Sequence, residues 1–392
     1  MNIKKLAPLA LLPLLLSGCY KDYTLDYDFT AAYIAYQYDL RTFVIGEEGK
    51  FDFTVALAGV VDNTKDRAVE VELRDELLSE DLSQYTTEFG VSSFTALDGL
   101  NGKGGFGDLS QKYVTEGVSG LTSLTPLPSE YYTVDGLGRM VIKKGRHTSA
   151  VTIKATPAIE EDPDAFRPYY ALGFKLNKAD VDSVLCEKSF EIIVVKCENK
   201  FFGNWYHGGK TVIKNDATGE IVSEDVYDLV IPQADSKVYS LTTVDASTVM
   251  TDKIGLNAGK LLLKFNGDDI TITSADGSKE IKPIADQPNV YNGAKLLQDR
   301  RLTLNYCFSN GDGTTTYITD YLQFRNRIRD GVNEWQDENE KNYEEIFIEC
   351  HSGPGVKPGL SGCAVRPASC RRERSGVQSS CRRHRQSEWK HG

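Results

Sequence analysis

Residues 261–272 read LLLKFNGDDITI, and this stretch decides the fold of the chain. Two apolar runs flank Asn266-Gly267, and an Asn-Gly pair between such runs is the strongest short-range signal of a β-hairpin. Further pairs of runs lie at residues 210–222 and 302–324, with no long crossover between them. Successive hairpins predict a meander that curls into a β-barrel-like, lipocalin-like domain, which we place at residues 198–350.

Residues 31–197 carry shorter apolar runs of four to eight residues, separated by Gly and Asp turns. Runs of this length and pattern predict strands, and this number of short strands favours an Ig-like β-sandwich. The predicted fold class is therefore all-β, with two domains. A glycine-rich segment at residues 99–120 interrupts the sandwich without the Gly-Lys-Ser/Thr of a phosphate loop, so we predict a mobile surface insertion there.

Residues 1–18 have the features of an export signal that ends at a lipidation site. Basic residues precede an apolar run at residues 6–16, and Ser17-Gly18 precede Cys19. The run is too short to span a bilayer as a helix, which needs about 20 residues. We predict that Cys19 is acylated and anchors the protein to the membrane. The spaced acids of the tether at residues 19–30 resemble the signal that routes Bacteroidetes lipoproteins outward, so we expect an outer-membrane location facing the cell exterior.

The composition changes abruptly at residue 351. Residues 351–392 contain seven Arg and two Lys against two Glu, but no Tyr, Phe, Ile, Asp, Asn or Thr. A basic arm for polyanions and a metal site at Cys363, Cys370, Cys381 and His384 are the functional alternatives. The cysteine spacing matches no paired zinc pattern. We therefore predict a disordered tail that is translated out of frame or otherwise foreign to the natural protein.

Composition and motifs argue against several classes of function. The net charge of −11 is unfavourable for nucleic acid, which requires basic patches. No nucleophile elbow and no His-Glu-x-x-His helix occurs in the sequence, so we expect neither an enzyme nor a cofactor. The acidic runs at residues 160–164 and 310–312 lack the ligand spacing of a calcium site, so we expect no metal.

Both halves of the chain resemble a known domain pair. The first half, through residues 51–57, 69–73, 127–132 and 151–153, is similar to the Ig-like N-terminal domain of Bacteroidetes lipoproteins. The second half, from residues 202–205 to 325–335, is similar to the β-rich domain found beside it. These families are mostly of unknown function, and their members often accompany transport systems for complex glycans. The resemblance implies a surface protein that captures glycans, with outer-membrane transporter components as partners.

A glycan site requires exposed aromatic rings for the flat faces of sugars and polar side chains for their hydroxyls. Only two tryptophans precede the tail, at positions 205 and 335. Trp335 and Asn333 lie in a polar neighbourhood and are the better candidates. Trp205, Tyr206 and His207 open the second domain, although a tryptophan this early in a barrel strand commonly fills the core. The alternative to glycan capture is a structural or adhesive surface role without a small ligand.

Overall fold

The computed structural model describes residues 29–78, 96–102, 112–227 and 237–336. Regular structure in these residues is almost entirely β, which confirms the predicted all-β class. Cys19, most of the acidic tether and the tail at residues 351–392 lie outside the described residues. Lipidation, and the disorder and origin of the tail, therefore stay predictions.

The sandwich is built from eleven strands in the described part of the chain. They are β1 (Ala31–Ile34), β2 (Tyr38–Ile45), β3 (Lys50–Ala58), β4 (Arg67–Leu73), β5 (Thr125–Pro126), β6 (Tyr132–Val134), β7 (Met140–Ile142), β8 (Thr148–Ala155), β9 (Tyr170–Ala179), β10 (Ser183–Val184) and β11 (Phe190–Asn199). Short 3₁₀ helices occur at Asp75–Leu78, Ser129–Tyr131, Leu137–Arg139, Pro157–Glu161, Pro163–Phe166 and Cys186–Lys188.

Two sheets face each other in the sandwich. One has the strand order β10-β1-β3-β8-β6, and the other has the order β2-β11-β9-β4-β7 with β5 beside β9. The alternating run in β3 buries Phe51, Phe53 and Val55 against the second sheet. Phe53 stacks on Phe174 of β9 with ring centroids 4.3 Å apart. Each sheet thereby covers the apolar face of the other, which a single sheet would leave in water.

The glycine-rich segment differs from its prediction, because its described parts form helices packed on the second sheet. Helices α1 (Ala96–Leu100) and α2 (Lys112–Gly117) bury Leu100 and Val114 against β2 and β11. Gly99 permits close packing, since a Cβ there would lie 2.0 Å from the ring of Tyr38. The prediction of a mobile surface insertion is therefore wrong for these parts, and residues 103–111 lie outside the described chain.

The barrel contains the remaining strands. They are β12 (Gly203–Asn215), β13 (Ile221–Tyr227), β14 (Lys237–Thr243), β15 (Thr248–Ile254), β16 (Asn257–Asn266), β17 (Asp269–Ser274), β18 (Lys282–Pro283), β19 (Val290–Tyr291), β20 (Arg301–Ser309), β21 (Thr314–Arg329) and β22 (Val332–Glu334). A 3₁₀ helix lies at Leu297–Asp299.

The barrel closes through its two longest strands. Neighbours pair antiparallel in the order β12-β14-β15-β16-β17-β19-β20-β21, and β21 pairs with β12 over residues 204–215. Strand β13 pairs antiparallel with the second half of β12, and β22 pairs with the end of β21. The meandering, barrel-like architecture inferred from the hairpin signals is confirmed.

Two groups of charged residues join the sandwich to the barrel. Glu47, in the turn after β2, lies 2.8 Å from Arg300 and 2.7 Å from Arg327 of the barrel. The second group surrounds the tip of the β21–β22 hairpin, where Asp330 lies 4.0 Å from Arg41 of β2. The backbone of Gly331 approaches Tyr113 of α2 so closely that a Cβ would lie 2.6 Å from its ring. The hairpin is therefore held at its base and at its tip.

We expect Asp330→Asn to change the pH dependence of stability. Burial raises the pKa of Asp330 to about 6, although the charge of Arg41 acts in the opposite direction. A carboxyl whose pKa is higher in the folded than in the unfolded chain contributes stability below about pH 4, and this contribution is lost as the pH rises through about 6. As the pH rises from about 4 through about 6, the free energy of unfolding of the wild type should therefore fall relative to that of the variant, by at most about 3 kcal/mol.

Urea unfolding of both proteins across this pH range measures the difference. Asparagine is the matched replacement, because Asp330 has a φ of 53° and asparagine tolerates this left-handed conformation. Glu191, whose pKa burial also raises, is present in both proteins and cancels in the comparison. Parallel stability curves for the two proteins would contradict the prediction.

Candidate functional site

Strand β12 divides the predicted site residues between its two faces. Trp205 has no exposed surface, its Nε1 donates to the carbonyl oxygen of Phe201 at 3.0 Å, and its ring meets Phe324 edge-on at 5.5 Å. It fills the barrel core and offers no surface to a sugar. The prediction of Trp205 as a ligand residue is thus corrected, because the alternation of the strand turns its side chain inward.

His207 also points into the barrel and is only 2% exposed. Its Nε2 lies 2.8 Å from Oδ1 of the fully buried Asp320, which accepts hydrogen bonds from Tyr227 at 2.7 Å and Tyr306 at 3.0 Å. Burial, together with the charge of Asp320, raises the pKa of both tyrosines. We call these four residues the Asp320 cluster. His207 is part of the interior and is corrected as a ligand residue.

Tyr206 faces outward between these two inward residues. Asn204 pairs with Asn326 but Trp205 pairs with Phe324, so Arg325 is an extra residue in β21 and forms a β-bulge. The Arg325 guanidinium carbon lies 5.7 Å from the centre of the Tyr206 ring. Beyond the bulge the alternation of β21 is shifted by one residue.

This shift places two asparagines of neighbouring strands on the outer side of the barrel, next to a third on β22. The Nδ2 of Asn204 donates to Oδ1 of Asn326 at 3.2 Å, and the Nδ2 of Asn326 donates to Oδ1 of Asn333 at 2.7 Å. Among the described residues, neither the Asn333 Nδ2 nor the Asn204 Oδ1 has a partner. The ladder therefore ends in an amide group that is free to donate, on Asn333, and in an amide oxygen that is free to accept, on Asn204.

Two large apolar side chains accompany the ladder. Ile328 is 65% exposed and Trp335, which follows β22, is 58% exposed. We define the amide–aromatic surface by these residues, the ladder and its neighbours on β12 and β21: Asn204, Tyr206, Arg325, Asn326, Ile328, Asn333 and Trp335. Of the five predicted ligand residues, Tyr206, Asn333 and Trp335 lie on this surface.

The reverse side of the hairpin supports the surface. Arg327 is 2% exposed, and its Nε donates to Glu334 at 2.6 Å while its terminal nitrogens contact Glu47. Arg329 also pairs with Glu334 at 2.6 Å. These ion pairs hold β22 against β21. Asn333 of β22 and Trp335 just after it therefore stand on a fixed scaffold. Rigid support of this kind lowers the ordering cost of binding.

Sequence reasoning missed Asn204, Asn326 and Arg325. The alternation of polar and apolar residues in Asn204-Trp205-Tyr206-His207 was a usable signal, because a strand places the first and third residues on one face. The placement of Asn326 and Arg325 on this surface depends on the bulge and on the pairing of two strands that lie more than 100 positions apart in the sequence. No local pattern in the sequence indicates that pairing.

An open concavity lies in the sandwich, away from the amide–aromatic surface. It is an open cleft of about 530 Å³ lined by Leu73, Asp75, Glu76, residues 126–129 and Tyr132. Burial, together with the charge of Asp75, raises the pKa of Tyr132. The cleft has one aromatic ring and no amide side chain, so it presents fewer groups for a sugar than the amide–aromatic surface does.

The described ranges lack two further kinds of feature, a metal-binding cluster and a membrane-spanning helix. No set of three or more His, Cys, Asp or Glu side chains there is arranged to hold a metal ion. No helix in the same part of the chain is long and apolar enough to cross a membrane.

The fold and this surface define an all-β protein, a sandwich followed by a barrel, with an exposed patch of amides and aromatic rings. Residues 25–183 match a family model whose description reads "-like, N-terminal domain". A Bacteroides ovatus protein of unknown function is similar in structure, with a TM-score of 0.53, 16% identity and coverage of 79% of this chain and 99% of its own. These matches confirm the resemblance to Bacteroidetes proteins from families of unknown function, and at this identity the structural similarity concerns the fold.

An auxiliary nutrient binding protein from Bacteroides thetaiotaomicron is also similar, with a TM-score of 0.35, 13% identity and coverage of 76% of this chain and 96% of its own. No curated protein matches the sequence.

Proposed function

We propose that this protein captures glycans through the amide–aromatic surface, for use as nutrients. The carrying observation is the ladder of Asn204, Asn326 and Asn333, with the exposed ring of Trp335 two residues after Asn333. The flat C–H face of a pyranose packs on an indole ring, and its hydroxyls accept from and donate to amide groups. The nutrient role agrees with the name of the Bacteroides thetaiotaomicron protein, but the proposal rests on the surface itself.

The proposal includes the location inferred from the signal sequence. Acylated Cys19 holds the protein at the outer face of the outer membrane, where an outer-membrane glycan transporter is the partner that takes up the captured chain. Two or more acyl chains give a stable anchor, because each buried methylene contributes about 0.8 kcal/mol. In this role the protein binds its ligand and catalyses no reaction.

Affinity electrophoresis of the full chain in gels that contain different polysaccharides tests the proposal. We expect retardation by at least one polysaccharide, and a loss of roughly tenfold in affinity, about 1.4 kcal/mol, for Trp335→Ala. Tyr36→Ala is the matched control, because Tyr36 is a 49% exposed aromatic residue of the sandwich. Cys19→Ser in every protein removes the acyl chains from the assay.

Three outcomes would count against the proposal. Equal retardation of the wild type and Trp335→Ala would show that the amide–aromatic surface does not bind the polysaccharide. No retardation across a broad panel, combined with loss of cell adhesion when the gene is deleted, would favour the structural or adhesive role. Release of reducing sugar from any panel member would indicate an enzyme instead.

A further inference from the structure

The outer side of the barrel continues past the amide–aromatic surface toward the far ends of β12 and β21. Lys210 and Lys214 alternate with inward residues of β12 and share the face of Tyr206. Arg301 of β20 pairs with Gln323, which lies on this same side. Together with Arg325 they form what we call the cationic row: Lys210, Lys214, Arg301 and Arg325.

In the described part of the chain, no carboxylate forms an ion pair with a member of the cationic row. Among the described residues, Lys210, Arg301 and Arg325 make no ion pair, and the Lys214 ammonium lies 5.1 Å from the centre of the Tyr317 ring. Glu224 of β13, opposite Val212, is an acid that the register places on this side of the sheet, and no ion pair joins it to the row among the described residues. Elsewhere basic residues are commonly paired, as in Lys65–Asp180, Lys143–Asp66 and Arg167–Asp164.

This local excess of positive charge contrasts with the whole chain, whose net charge is −11. The net field of an acidic protein repels a polyanion, so a polyanion can approach only where the local potential is positive. The cationic row provides such a region next to the proposed sugar-binding residues.

From this charge complementarity we infer that the ligand of the amide–aromatic surface is a polysaccharide that carries uronic acid carboxylates, an inference that rests on the proposed function. Tyr206, Lys210 and Lys214 follow one another at intervals of about 13 Å along β12, given about 3.3 Å per residue. Groups repeated along one strand fit a linear chain with regularly spaced charges better than they fit a single sugar.

The pairing of rings with cations favours carboxylate as the anionic group. Arg325 lies over Tyr206, and Lys214 lies over Tyr317. The carboxyl of a uronic acid is bonded directly to the sugar ring, so a ring that packs on one of these tyrosines brings its charge to the adjacent cation. The planar guanidinium of Arg325 and Arg301 also matches a carboxylate with two parallel hydrogen bonds.

Binding of the full chain to polygalacturonate, compared with the same polymer after chemical reduction of its carboxyl groups, tests the inference. We expect binding of the native polymer that weakens as salt is added, and at least tenfold weaker binding of the reduced polymer. The double variant Lys210→Gln, Arg325→Gln should bind the native polymer about tenfold more weakly than the wild type and with a smaller dependence on salt.

The matched control is the double variant Lys144→Gln, Lys188→Gln, which removes two exposed charges from the sandwich. Lys188 lies 6.0 Å from the centre of the Tyr33 ring, so it reproduces the pairing of a cation with a tyrosine. We expect its affinity to stay within twofold of the wild type. The basic tail at residues 351–392 is present in every protein compared, so its contribution cancels between the wild type and the variants, and the comparison of variants decides the role of the cationic row.

The outcomes separate this inference from the proposed function. Equal binding of native and reduced polymer, with loss on Trp335→Ala, would overturn the uronate inference and leave glycan capture standing. Equal binding of polygalacturonate, dextran sulfate and duplex DNA would overturn it in favour of simple charge attraction. Unchanged binding by the Lys210→Gln, Arg325→Gln variant would also overturn it. Failure to bind any polysaccharide would contradict both proposals.

Discussion

Replacement of Glu47 by alanine is expected to destabilise the folded protein by about 3 to 5 kcal/mol, the usual cost of removing one partner of a buried ion pair. Glu47 contacts Arg300 and Arg327, which are 5% and 2% exposed. Burial alone would raise the pKa of Glu47, but the hydrogen bonds and charges of the two arginines lower it below its usual value. Without Glu47, two guanidinium groups stay buried and lose their shared carboxylate.

Urea unfolding of the full chain at neutral pH measures this loss. Glu48→Ala is the matched control, because the neighbouring Glu48 makes an exposed pair with Lys50. Exposed pairs contribute about 0 to 1 kcal/mol, so the control should unfold close to the wild type. A loss below about 1 kcal/mol for Glu47→Ala would show that the arginines find other partners. Arg327 keeps its ion pair with Glu334, whereas Arg300 keeps hydrogen bonds to carbonyl oxygens, one of them to Lys200 at 2.9 Å, which makes Arg300 the less compensated of the two.

The same substitution bears on the proposed function. Arg327 connects Glu47 of the sandwich to Glu334 of β22, so the ion pair that joins the domains also supports the strand beside Trp335. A weaker joint should therefore reduce glycan affinity even at temperatures where the protein stays folded. Glu48→Ala should leave the affinity unchanged.

Local signals predicted the hairpins because their strands are neighbours in sequence. The LLLKFNGDDITI stretch forms β16 and β17, but its turn is centred on Gly267-Asp268, one residue later than predicted. A type I′ turn requires a positive φ at both central residues. Gly267 has a φ of 63°, but the φ of Asp268 is not positive. Glycine at the first turn position matches a type II′ turn, and this choice sets the register.

Features that depend on distant contacts were not predictable from the sequence. Glu47 and Arg327 are 280 positions apart, and nothing near either residue indicates the other. The glycine-rich segment was misjudged for a related reason, because Gly99 was interpreted as a source of flexibility. Its actual role is close packing on Tyr38, which belongs to a strand more than 50 positions earlier.

The candidate site was predictable only in part. The polar neighbours of Trp335 correctly indicated an exposed ring, since a tryptophan in a polar segment has little apolar surface to pack against. Trp205 and His207 were nominated together with Tyr206, although one strand cannot present all three on the same face. The ladder of Asn204, Asn326 and Asn333 joins three strands, so it emerges only from the sheet.

The Asp320 cluster yields the other large effect. Asp320→Ala is expected to destabilise the protein by about 3 to 5 kcal/mol, because it leaves the hydrogen-bond donors of His207, Tyr227 and Tyr306 without their acceptor inside the barrel. Each of these groups is nearly inaccessible to water, so hydration cannot replace the lost bonds. Thermal and urea unfolding of the full chain measure the loss.

Two variants control for this effect. Asp320→Asn keeps one acceptor oxygen and should lose less stability than Asp320→Ala. Asp312→Ala removes an exposed turn aspartate that accepts from Thr314 and should leave stability close to that of the wild type. Equal stability of Asp320→Ala and the wild type would show that the cluster contributes nothing to stability.

Because the cluster joins β12, β13, β20 and β21 from inside, its loss should also loosen the strands whose outer side carries Tyr206 and the asparagine ladder. Weaker glycan binding by Asp320→Ala would then come from the scaffold, since this carboxylate has no surface of its own.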